Sequence, residues 1–189
     1  MYKRLFIWVE GDRDRRFFET IVHPLFSGIF DDIKTREYSQ MQEKLLKSKI
    51  KECKNNNNDY IFVVDMDSHG KNDVSIAPGK KKLCKTQKKD AIKKNYPYVA
   101  REKIVLSVEE IEGWYLAGLD RESCKELKIK YLPSTDEITK EQFLSLMPSE
   151  FTSEIDFRIE ILKRFNKSIA KRKNKSFKYF LNKCRDYGL

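Results

Sequence analysis

The sequence predicts an α/β fold: a mostly parallel sheet of about four strands with helices on both faces, followed by a helical C-terminal extension. Three observations predict it. Compact runs rich in β-branched and aromatic residues occupy 3–9, 60–64 and 104–108, helix-patterned segments lie between them, and a polar, helix-patterned remainder follows Asp120. Strands alternating with helical segments read as βαβ units, whose crossovers make the strands parallel.

The first strand, residues 3–9, closes at Glu10-Gly11. A helix is predicted over 13–22, with Asp12 as N-cap and Phe17, Phe18, Ile21 and Val22 as its apolar stripe. His23-Pro24 is expected to stop it. Residues 33–38 form a second strand, the weakest by pattern, before a helix over 40–53 that aligns Met41, Leu45, Leu46 and Ile50. After the asparagine run at 55–58, Tyr60-Ile61-Phe62-Val63-Val64 is the clearest buried strand, and it ends in Asp65-Met66-Asp67-Ser68-His69-Gly70. A lysine-rich stretch over 71–94 is part loop and part helix, ending near Tyr96-Pro97. The strand at 104–108 runs into Glu109-Glu110-Ile111-Glu112, a helix start with acids in its first turn, as the helix dipole prefers. Pro133 and Pro148 break the later helices, and a last helix surrounds Phe177, Phe180 and Leu181. The predicted division is an α/β domain over 1–120 and a helical extension over 121–189 packed on it.

Composition narrows the function classes. The 189 residues are 40% apolar and 12% aromatic, enough for a core and incompatible with disorder throughout. With 39 Lys and Arg against 29 Asp and Glu, the net charge is +10 and the pI about 9.3, which favours polyanionic partners, although a Lys-, Asn- and Ile-rich composition supplies part of that excess by itself. No stretch approaches the roughly 20 apolar residues needed to span a bilayer, and the N-terminal apolar run breaks too early for a signal peptide, so a cytoplasmic protein without membrane partners is expected. The four cysteines form no C-x-x-C pair and the two histidines no metal-ligand spacing, which argues for free thiols and against zinc chemistry. No Walker or dinucleotide glycine motif is present.

In open parallel sheets the ligand site lies beyond the carboxyl ends of the strands. Here successive strands end in acids: Glu10, then Asp65 and Asp67, then Glu109, Glu110 and Glu112. Asp65 and Asp67, two apart on extended chain, point to one side. Carboxylates held that close repel unless a cation sits between them, and their oxygens suit Mg²⁺ or Mn²⁺. Each Asp taken alone also reads as a turn former or helix cap.

These residues carry a family resemblance. Val9-Glu10-Gly11-Asp12-x-Asp14-x-x-Phe17-Phe18 followed by Val63-Val64-Asp65-Met66-Asp67 resembles the Toprim domain, the acidic metal site shared by topoisomerases, primases, small ribonucleases and OLD-family nucleases. Glu110-Ile111-Glu112-x-Trp114-x-Leu116-Ala117 is similar to a segment of OLD-like and small stand-alone Toprim proteins. The resemblance covers residues 2–119. It implies Glu10, Asp65, Asp67 and Glu112 as catalytic residues and metal ligands, with Asp14 and Glu110 as further candidate ligands. For Asp14 a structural hydrogen bond is an equal reading. OLD-type nucleases also use a downstream lysine, for which Lys81, Lys82 and Lys85 are candidates.

Two basic runs complete the picture, one from Lys71 through Lys80, Lys81, Lys82 and Lys85 to Lys94, the other including Lys171, Arg172 and Lys173. Beside an acidic pocket they read as grips for a phosphate backbone, with solvated helix faces as the alternative. Tyr96, Tyr98 and Trp114 are candidate stacking residues, Trp114 reading equally as core. The expected function is a Mg²⁺- or Mn²⁺-dependent nuclease acting on DNA or RNA. The rival is a non-catalytic nucleic-acid- or protein-binding Toprim subunit of a defence or repair complex, partnered by a separately encoded ATPase. A homodimer is compatible with either.

Overall fold

Four extended segments become strands: β1 (Arg4–Val9), β2 (Asp32–Glu37), β3 (Asp59–Asp65) and β4 (Ile104–Ser107). The computed structural model describes residues 2–65, 85–107 and 111–187. Its strands form one parallel sheet in the order β2-β1-β3-β4. Along β1, Leu5, Ile7 and Val9 alternate with Trp8, and all four are buried, so the strand reads as an unbroken apolar run because both of its faces are covered. Trp8, Tyr60, Phe62, Val64, Ile104 and Leu106 share a core with Leu46, Ile50 and Cys53 of α3 (Glu43–Asn55) and Ile92 of α4 (Lys85–Asn95). The weak pattern of β2 has a physical cause. It is an edge strand with Thr35 as its one buried residue, and its charged side chains discourage pairing with another chain.

The helix after β1 does not stop at His23-Pro24. A π-helical turn, Phe18–Val22, carries α1 (Asp12–Phe17) directly into α2 (His23–Phe26). The His23 N–H reaches back to the Phe18 carbonyl, and this wider turn loosens the spacing at which the proline ring would clash with the preceding turn. Phe17, Phe18, Val22 and Phe26 therefore stay on one buried stripe. His23 Nε2 lies 2.8 Å from Thr35 Oγ1, which ties this helical rod to β2.

Backbone contacts divide the chain into Met1–Leu106 and Ser107–Leu189. The described residues 111–120 fall in the second unit. The reason is α5 (Ile111–Ala117), every residue of which is buried. The Trp114 indole N–H donates to Ser176 Oγ at 2.7 Å, and its ring packs on Phe177 and Phe180 of α10 (Lys175–Cys184). Tyr115 meets Phe143 of α7 (Lys140–Ser145), which packs on Phe157 of α8 (Glu154–Lys163). α6 (Arg121–Glu126), capped by Asp120, and α9 (Lys167–Lys173), capped by Asn166, complete the unit. Cys53, Cys124 and Cys184 are free and buried, and burial raises the Cys53 thiol to about 11 and that of Cys184 to about 12.

Gly113 allows α5 its close approach, because a Cβ there would lie 2.7 Å from the Thr135 carbonyl oxygen. Gly113→Ala is expected to cost about 1–3 kcal/mol, measured by urea denaturation. Gly28→Ala is the control, since a Cβ at Gly28 has open space around it.

Candidate acidic site

The strand order reverses direction at β1. The chain moves from β1 to β2 on one side, then crosses back to β3 on the other. Such a reversal leaves a crevice at the carboxyl ends of the two central strands, because the flanking helices depart to opposite faces. Glu10 follows the last residue of β1, and Asp65 is the last residue of β3. Trp8 pairs with Phe62, and continuing that register sets Glu10 opposite Val64, one residue from Asp65. These two sequence-predicted acids therefore stand on neighbouring strand ends at the switch point.

The backbone around Glu10 is fixed from both sides. Its carbonyl accepts from Ser39 N–H at 3.3 Å, and that of Val9 accepts from Tyr38 N–H at 2.9 Å. The Tyr38 hydroxyl donates to the Val63 carbonyl at 3.2 Å, so one residue beyond β2 braces the end of β3. On the far side, Asp14 Oδ2 accepts from Gly11 N–H at 2.9 Å while Arg15 N–H donates to the Gly11 carbonyl at 3.0 Å. Asp14 is buried and its carboxylate clamps the start of the helix. Arg15 also pairs with Glu37 at 2.7 Å, joining α1 to the end of β2.

An aromatic wall flanks this end of the sheet. Tyr38 stacks on Phe62 at 4.5 Å between ring centroids, and Tyr96 packs on Phe62 at 5.3 Å and edge-on against Tyr98. Burial raises the Tyr96 phenol, and the negative charges of Glu10 and Glu43 raise it further. Burial is also the main cause at Tyr98, raised to about 12. Both phenols thus remain protonated hydroxyls at neutral pH. Sequence reasoning named Tyr96 and Tyr98 but missed Tyr38, whose available signal was its place as the last residue of a predicted strand.

The other predicted residues separate into groups. Asp67, Glu110, Lys71, Lys80, Lys81 and Lys82 lie outside the described residues. Lys85 is the first residue of α4. Glu112 belongs to the second unit, where it is 3% exposed and its Oε1 accepts from Arg158 Nη2 at 2.5 Å. The same nitrogen reaches Glu154 at 2.6 Å, and the guanidinium lies over the rings of Tyr115 and Phe143 at 4.7 and 4.4 Å. Arg158 was invisible as a partner because forty-six positions separate it from Glu112. Lys171 and Arg172 are exposed on α9. Lys173 departs from its predicted surface role. It is buried, and its ammonium donates to the Leu116 and Leu119 carbonyls at 3.3 and 2.8 Å, capping the end of α5. Trp114 is core.

Glu10 and Asp65 carry carboxylates, the hard-oxygen type of donor that fits Mg²⁺ or Mn²⁺, and the strand register sets their backbones at neighbouring strand ends. Glu112 fits less well, since one of its oxygens is already held by a guanidinium. Among the described residues, no three His, Cys, Asp or Glu side chains converge as a metal-binding group, and no helix is long and apolar enough to cross a membrane. Set against protein families, curated proteins and solved structures, the chain matches none.

Proposed function

We propose that this chain is a metal-dependent nuclease that hydrolyses phosphodiester bonds of DNA or RNA at a Toprim-like acidic site. The observation that carries the reading is the pairing of Glu10 with Asp65 at adjacent carboxyl ends on either side of the strand-order reversal. Glu10 and Asp65, with Asp67 two positions on, would hold the Mg²⁺ or Mn²⁺. A bound ion supplies polarisation of the phosphate and a lowered pKa for attacking water. The chain's own part is to position these acids. Tyr38 and Asp14 brace the backbone on the two sides of Glu10.

One observation favours the second reading, a non-catalytic nucleic-acid-binding subunit: Glu112, expected among the ligands, is committed to Arg158. Incubation with labelled single- and double-stranded DNA and RNA separates the two. Under the nuclease reading, Mg²⁺ or Mn²⁺ yields cleavage products and EDTA abolishes them. Binding without products in every metal condition supports the subunit reading instead.

A further inference from the structure

Between Glu160 and Asp186 the sequence contains no acidic residue. Most of this stretch folds as α9 and α10, two helices that meet at Asn174, the C-cap of one and the N-cap of the other. Folding sorts its cations by role. Lys173 turns inward to carbonyls, Lys163 and Arg164 pair with Glu160, Lys175 pairs with Asp136 and Lys183 with Asp186. Lys167, Lys171, Arg172, Lys178 and Arg185 remain exposed, and among the described residues no carboxylate pairs with them. Lys167 and Lys171 lie one turn apart on α9, and Lys178 lies on the solvent side of α10, opposite buried Phe177 and Phe180.

We propose that this face of α9 and α10 is a binding surface for the sugar-phosphate backbone of a nucleic acid. Concentrated like charge with no internal neutralisation raises the energy of the free protein, and a polyanion relieves it while releasing its own counterions. An anionic membrane is the competing polyanion. Helices that bind in a membrane interface insert large apolar residues, whereas the exposed large hydrophobics among the described residues are Tyr2, Leu45 and Ile155, none of them on these helices. The surface therefore offers charge without an insertable edge, which suits phosphates in water. The proposal rests on the nucleic-acid half of the reading above, but not on the acidic site.

The test measures binding of the full chain to fluorescently labelled DNA and RNA oligonucleotides in EDTA, across a salt titration. Working in EDTA keeps failure to bind and failure to cleave as separate results. Lys171→Gln/Arg172→Gln/Lys178→Gln is expected to weaken binding and to reduce the slope of log affinity against log salt by about 2–3, one phosphate contact per cation removed. Lys128→Gln/Lys163→Gln/Lys183→Gln removes the same charge from cations that already have carboxylate partners, and is expected to change the slope far less. An unchanged urea midpoint shows that the folded state survives in both variants. The proposal is overturned if the two triple variants behave alike, or if the first loses binding to anionic phospholipid vesicles while keeping its affinity for oligonucleotides.

Discussion

Glu10→Gln and Asp65→Asn are each expected to lower Mg²⁺- or Mn²⁺-dependent cleavage by about 100-fold or more, because even outer partners of metal ligands cost 10–100-fold when removed. Both substitutions keep the side chain's shape and delete its charge. In EDTA the folded state should lose nothing, and removing one of two neighbouring like charges at the strand ends should even raise stability slightly. Manganese gives a readout independent of turnover. A ligand that binds the native state alone raises the melting temperature, so Mn²⁺ should stabilise the unsubstituted chain and have a smaller effect on either variant. Equal cleavage by the unsubstituted chain and by Glu10→Gln/Asp65→Asn would remove the acidic site from the mechanism.

The second large effect is on stability. Arg158→Met is expected to cost about 3–5 kcal/mol, because it leaves the Glu112 carboxylate buried without its partner. Glu112→Gln should cost clearly less, since Arg158 keeps Glu154, which reaches solvent. Arg158→Met/Glu112→Leu removes both charges and should recover most of the loss, as apolar replacements of buried pairs often do. Urea denaturation of the set closes a double-mutant cycle. The same variants bear on Glu112 itself. If Glu112→Gln abolishes cleavage while its stability falls little, the residue serves chemistry as well as packing.

The elements legible in the sequence were those whose signal is local. β1, β3 and β4 announced themselves as apolar runs because their neighbours bury them, but the predicted α3 stripe held only in part: Leu46 and Ile50 are buried in the core, whereas Leu45 is exposed and Met41 lies before the helix. Glu10 and Asp65 were readable as acids at strand ends, and the strand order then made them neighbours. The failures share a cause. The helix continues through Pro24 because a π turn absorbs the proline, and no residue type marks such a turn. Lys173 and Lys171 look alike in a basic run, yet one end of α5 needs an ammonium and the solvent does not. Likewise, Glu112 meets Arg158 through helix packing, which periodicity along either helix does not encode.

The position of β1 in the sheet also sets an order of assembly. β1 lies between β2 and β3, and both follow it in the chain. During synthesis Leu5, Ile7, Trp8 and Val9 are made before either neighbouring strand: one hydrogen-bonding edge of β1 finds its partner only when Asp32–Glu37 has been made, and the other stays open until Asp59–Asp65 has followed. An apolar strand in that state is a template for pairing with another nascent chain. The pairing that ends this exposure is the same one that brings the Glu10 and Asp65 backbones together, so the acidic crevice forms only when the second edge of β1 is covered.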